Sequence, residues 1–139
     1  MAWRMPAETA PQERIWMAFP VAGETLGETA AEAEACYAAW TAVAHATAEF
    51  EPVTMVVDPS EIARARRMLG TGIDILEAPI DEFWMRDFGP TFVLDDERPG
   101  ALGAVDWVFN GWGAPDWADW TLSAEIARTV SAQVGSELI

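Results

Sequence analysis

Short apolar runs of four or five residues, set apart by helix-length stretches, constrain the fold of this chain more than any other feature. Ile15-Trp-Met-Ala-Phe19 is closed by Pro20, Val53-Thr-Met-Val-Val57 by Asp58-Pro59, and Ile73-Asp-Ile-Leu76 follows a Gly70–Gly72 turn. Runs this short, bounded by turn-forming residues, read as buried strands. Between the first two lies an alanine-rich helix from about Glu28 to Phe50, in which Cys36, Trp40, Val43, Thr47 and Phe50 recur at helical steps and share one face. Asp58 and Pro59 offer an N-cap and a first-turn proline for a second helix, which passes through a basic cluster, Arg64, Arg66 and Arg67, and stops at Gly70. The cluster reads as a solvated helix face. The pattern then changes. Residues 79–90 form a loop rich in acids and aromatics. Thr91–Leu94 and Ala101–Phe109 read as two strands of a hairpin turned by Asp95–Gly100. A Trp/Gly loop over Asn110–Pro115, a helix over about Asp116–Gln133 and a further strand at Glu137–Ile139 follow. The order is α/β with a mixed, partly antiparallel sheet.

Charge narrows the function. The 139 residues, enough for one domain on a prior of roughly 100–200, carry 23 acids against 8 basic residues, for a formal charge of −15. Every basic residue is arginine. A field this negative repels nucleic acid and anionic membranes and favours a cationic small molecule. Without lysine there is no Walker A loop, no Schiff base with pyridoxal phosphate and no kinase lysine. Cys36 and His45 are the sole cysteine and histidine, so a disulfide framework or a structural metal site is not expected, and no cofactor is implied. They stand on one predicted helix, nine residues and roughly 13–14 Å of rise apart. That separation excludes a nucleophile–base pair, and Cys36 reads as a buried core thiol. No signal peptide and no apolar run of membrane length is visible, so a cytoplasmic, soluble protein is expected.

The segment densest in reactive side chains is Asp81-Glu-Phe-Trp-Met-Arg-Asp-Phe-Gly-Pro90. Its Asp-Phe-Gly triplet matches a kinase motif, but the other kinase elements are missing. The pair Trp84 and Asp87 offers better chemistry. A tryptophan face attracts a cation, and a carboxylate accepts two parallel hydrogen bonds from a planar guanidinium. The alternative has Asp87 bridging Arg86 or capping a turn, with Trp84 in the core. Trp107, Trp112, Trp117 and Trp120 read mainly as core between hairpin and last helix, with Asn110-Gly-Trp-Gly113 suited to close approach of backbone to a ligand.

Four segments, Met5-Pro-Ala-Glu8, Trp16-Met-Ala-Phe-Pro20, Trp84-Met-Arg-Asp-Phe-Gly-Pro-Thr91 and Val105-Asp-Trp-Val-Phe-Asn-Gly-Trp-Gly113, occur in order. Together they resemble the N-terminal part of agmatine deiminases and related bacterial peptidylarginine deiminases. The resemblance implies part of a five-bladed α/β-propeller of ββαβ units, the pentein fold, with residues 1–139 as the N-terminal portion of a single deiminase domain. It implies that Asp87 grips a guanidinium as a catalytic group and that Trp84, Asn110 and Trp112 help bind the substrate. The family's cysteine attacks the guanidinium carbon, a histidine protonates the departing ammonia, and water resolves the intermediate, converting agmatine to N-carbamoylputrescine. The segments that carry that cysteine and histidine have no counterpart here. Gly111 and Gly113 stand where peptidylarginine members have arginines, which favours an amine such as agmatine. A non-catalytic module that binds guanidinium or polyamine compounds, or assembles with another chain, stays open, as does a homo-oligomer.

Overall fold

The computed structural model describes residues 2–139. In chain order the elements are β1 (Trp3–Arg4), β2 (Ile15–Ala18), α1 (Ala30–Ala48), β3 (Val53–Val57), α2 (Ile62–Leu69), β4 (Asp74–Glu77), α3 (Met85–Phe88), β5 (Thr91–Asp95), β6 (Leu102–Val105), α4 (Ile126–Val134) and β7 (Glu137–Leu138). They group into two compact units, one spanning Gln12–Met85 and the other combining residues 2–11 with Arg86–Ile139.

The first unit is a three-stranded parallel sheet in the order β2-β3-β4, connected by helices. All five residues of β3 are buried, as befits the central strand of a parallel sheet, and its one polar side chain, Thr54, accepts from Arg14 at 2.6 Å. A capping box begins α1: the Thr29 hydroxyl accepts the Glu32 N–H, and the Glu32 carboxylate accepts the Thr29 N–H. The buried stripe of this helix is Tyr37, Thr41 and Ala44, not the face expected from Cys36, Val43 and Phe50. Val43 and Phe50 are exposed, and Cys36 is only half-buried. The reason is that Ala44, fully buried, lets the helix approach its neighbours closely, while Tyr37 reaches a polar partner inside.

That partner is Glu61, buried just before α2. Its carboxylate accepts from the Tyr37 hydroxyl at 2.9 Å and the Ala22 N–H at 3.2 Å, and pairs with Arg64 Nε at 3.3 Å. The Arg64 guanidinium lies 4.3 Å from the Tyr37 ring centroid and pairs with Glu34 at 2.6 Å. Arg64 therefore clamps α1 to α2, whereas Arg66 and Arg67 are exposed as expected. Asp58 caps the following turn through the Ser60 N–H and hydroxyl and also accepts from Ile80 N–H at 3.2 Å. Burial pushes its carboxyl up, but these three hydrogen bonds outweigh it and hold the group below the usual range.

The second unit is a four-stranded sheet in the order β1-β5-β6-β7, with β1, β5 and β6 antiparallel in turn and β7 parallel to β6. The run β5-β6-α4-β7 is one ββαβ unit. The expected hairpin is present, but its second strand ends at Val105 rather than Phe109. Asp106 turns to pair with Arg128 at 2.9 Å, and the Trp107 indole donates to the Thr91 hydroxyl at 2.9 Å. The hairpin turn is set by Asp95, which accepts from Arg98 Nε at 2.6 Å and from the Glu97 N–H at 2.9 Å. Gly103 lies where a Cβ would come within 2.5 Å of Ile139 and 2.9 Å of Val93. Only glycine lets β6 lie this close to its neighbours. The last helix begins at Ile126, after a short 3-10 turn, and not near Asp116. Residues 116–122 instead form an irregular segment in which Trp117 stacks on Trp112 and Trp120 lies against Gly111. Among the described residues no helix is long and apolar enough to cross a membrane.

Tyr37 is the sole tyrosine, so tyrosinate absorbance reports it alone. Burial, then the hydrogen bond and charge of Glu61, push its phenol up to about 12 from an ordinary value of 10.0. Because the folded value lies above the unfolded one, this contribution to stability is complete below pH 10 and is lost as the pH rises towards 12. An alkaline titration should give a midpoint near 12 in the folded chain, and Tyr37→Phe should flatten the fall in stability across that window. A midpoint at 10 would contradict the Glu61 arrangement.

Candidate functional site

The acid- and aromatic-rich segment starts from buried anchors in the first unit. Ala78 donates its N–H to the Val57 carbonyl at 3.0 Å, and the side chains of Ile80 and Phe83 are buried. Phe83 meets Trp40 edge-on at 5.0 Å and stacks on Trp84 at 4.8 Å, and Trp84 meets Trp40 edge-on at 5.8 Å. The Trp40 indole N–H donates to the Ala18 carbonyl at 2.7 Å. Each such aromatic pair adds about 0.5–1.5 kcal/mol beyond area burial. This triad holds Trp84 in one orientation while leaving it 38% exposed, so Trp84 is a supported surface aromatic and not a core residue. Beside it, the Glu82 carboxylate accepts from the Thr25 hydroxyl at 3.0 Å. Burial pushes the Glu82 carboxyl up and Asp81 adds to this, against hydrogen bonds from Thr25 and Trp84.

The chain passes into the second unit through α3. Phe88 is buried and Asp87 is exposed. Arg86 pairs with Glu8 at 3.5 Å and not with its neighbour. Among the described residues Asp87 makes no hydrogen bond or ion pair, which removes the reading in which it bridges Arg86 or caps a turn.

Phe88 connects this helix to the Trp/Gly loop. A row of rings runs from Phe88 to Phe109 at 6.0 Å, from Phe109 to Trp112 at 5.3 Å, and from Trp112 to Trp117 at 6.2 Å, the last pair stacked within 17° of parallel. Three tryptophans expected in the core are exposed instead: Trp107 by 61%, Trp112 by 44% and Trp117 by 71%. Trp120, half-buried, lies against Gly111, where a Cβ would come within 2.5 Å of the indole. Trp112 and Ala114 both have positive φ, 63° and 56°, a left-handed backbone that costs a non-glycine residue about 1–2 kcal/mol. Strain of this kind concentrates at functional positions.

Asp87, Asn110 and Trp112 thus belong to one unit, and Trp84 belongs to the other. Cys36 and His45 take no part. Burial pushes the Cys36 thiol up, and a His45 ring nitrogen is 3.0 Å from the Met68 carbonyl, on an exposed side chain. No group of three or more His, Cys, Asp or Glu side chains is placed to hold a metal ion among the described residues. Sequence reasoning missed Trp40, Phe83, Phe109 and Glu82 as supports. Their contacts to Trp84 and Trp112 have no local signature, apart from adjacency in the case of Phe83 and Glu82.

The chain is 54% identical over 131 residues to a protein of Streptomyces coelicolor provisionally named an agmatine deiminase, covering 94% of this chain and 38% of the relative. It is 43% identical over 130 residues to the agmatine deiminase of Stutzerimonas stutzeri, covering 91% of this chain and 34% of that protein. The structure of the agmatine deiminase of Enterococcus faecalis superposes with a TM-score of 0.89 at 30% identity, covering 98% of this chain and 37% of that one. The chain therefore spans less than two-fifths of the length of these relatives. Its fold is part of the α/β-propeller expected from the sequence. The profile of the Porphyromonas-type peptidyl-arginine deiminase family matches residues 4–139, and the chain belongs to that family.

Proposed function

We propose that this chain supplies the substrate-gripping part of a guanidine deiminase, which hydrolyses agmatine to N-carbamoylputrescine and ammonia for putrescine synthesis in the cytoplasm. The reading rests on Asp87, an exposed carboxylate without a paired cation among the described residues, in a chain of this family. A planar guanidinium donates two parallel hydrogen bonds to such a carboxylate, and an aromatic face adds attraction for the same charge. In this proposal Asp87 takes the guanidinium and Trp112 offers an aromatic wall, carried by the loop that contains Asn110, while Trp84 is an exposed aromatic of the other unit. Agmatine is preferred over peptidyl arginine because Gly111 and Gly113 leave residues 107–122 without a cation that would hold a peptide carboxylate.

In this proposal residues 1–139 are the N-terminal portion of one deiminase domain, and the cysteine nucleophile and histidine acid come from outside them. A second reading is favoured by the positions of Cys36 and His45. Taken alone, the chain is a guanidinium-binding module that assembles with another polypeptide or a second copy.

Calorimetric titration of agmatine should show binding, and Asp87→Asn should weaken it about ten- to a hundredfold, the scale of a lost charged hydrogen bond. Equal binding by both forms would overturn the role given to Asp87. Ammonia release from agmatine by residues 1–139 alone would overturn the assignment of the nucleophile elsewhere. Cys36 should react with an alkylating reagent more slowly at neutral pH than a free thiol, because burial disfavours its thiolate. Rapid alkylation would count against its exclusion.

A further inference from the structure

The loop that presents Trp112 is a single turn of left-handed backbone. Gly111, Trp112, Gly113 and Ala114 have successive φ values of 60°, 63°, 104° and 56°. Two hydrogen bonds hold it, and both end on one residue. The Asn110 backbone carbonyl accepts the Ala114 N–H at 2.8 Å, and Asn110 Oδ1 accepts the Gly113 N–H at 2.9 Å. Gly111, pressed on the Trp120 ring, admits no side chain. Trp112 leaves this turn with its ring against Phe109 on one side and Trp117 on the other.

We infer that Asn110 is a positioning residue for Trp112, because both bonds that hold the turn end on it. Asn110 Oδ1 is committed through one of its two lone pairs to the Gly113 N–H, and the Asn110 carbonyl to the Ala114 N–H. The same commitment fixes two strained non-glycine residues in place. Without it the turn would relax to right-handed or extended backbone and carry the indole away from Phe109 and Trp117. This rests on the guanidine-binding reading for its ligand, but the turn is testable without one.

The experiment uses the chain labelled with 5-fluorotryptophan and observed by fluorine NMR, with the Trp112 resonance assigned through Trp112→Phe. Asn110→Ala should displace the Trp112 and Trp117 resonances, while Asn110→Asp, which keeps the oxygen acceptor, should leave them near their original positions. Asn110→Ala and Trp112→Ala should each weaken agmatine binding about tenfold, and the double variant should bind no more weakly than the poorer single one. The Gly113 N–H should also be protected from hydrogen exchange in the unaltered chain. This readout holds even where Asn110→Ala does not fold. Free exchange at Gly113, an unmoved Trp112 resonance, or additive losses in the double variant would overturn the inference. Displaced indole resonances with agmatine binding unaffected by Asp87→Asn would instead overturn the guanidine reading and leave the turn's role intact.

Discussion

Scarcity of positive charge is the constraint around which this chain is built. With 8 arginines to 23 acids, most carboxylates must be satisfied by N–H and O–H donors or left in water. Six arginines are committed to ion pairs among the described residues: Arg4, Arg14, Arg64, Arg86, Arg98 and Arg128. Several of them fasten elements together. Arg64 joins α1 to α2, Arg98 joins the hairpin turn to Glu137, and Arg128 joins α4 to Asp106 at the end of β6. Exposed pairs of this kind each contribute little, on the order of 0–1 kcal/mol, so their value lies in where they direct the backbone. The buried carboxylates, Glu61 and Asp95, lean on hydroxyl and backbone donors as well.

The strand pattern was legible because it is local. Val53–Val57 is apolar apart from Thr54, and its complete burial follows from being central in a parallel sheet. The face of α1 was not legible. In an alanine-rich helix the large residues mark whichever side has room, and here the close-packed side carries Ala44 and a tyrosine whose partner is 24 residues away. The start of the last helix was missed for a related reason. Trp117 and Trp120 are engaged by Trp112 and Gly111, contacts that no helical propensity encodes.

Among the residues proposed to bind a guanidinium, Trp84 and Asp87 are visible in the sequence as a ring and a charge within one short segment. The supports of Trp84 are not. Trp40 is 44 residues distant in the chain and is itself fixed by a carbonyl on β2. The glycines around Trp112 suggested close backbone approach, but four successive positive φ angles could not be read from two glycines alone. The role of Asn110 emerges from that geometry and not from its residue type.

Arg64 shows what this composition does with a guanidinium. Its planar group lies over the Tyr37 ring with the Glu34 and Glu61 carboxylates at its edges. Arg98 repeats the arrangement over Trp3, between Asp95 and Glu137. Arg14, over Trp16 and paired with Asp74, is a looser third case, while the guanidinium groups of Arg64 and Arg98 are captured by ring and acid as fixed parts of the architecture. Both side chains are tethered to their own acceptors, so neither competes with a free guanidine for a carboxylate elsewhere. The protein's own arginines are, in effect, bound ligands that never leave.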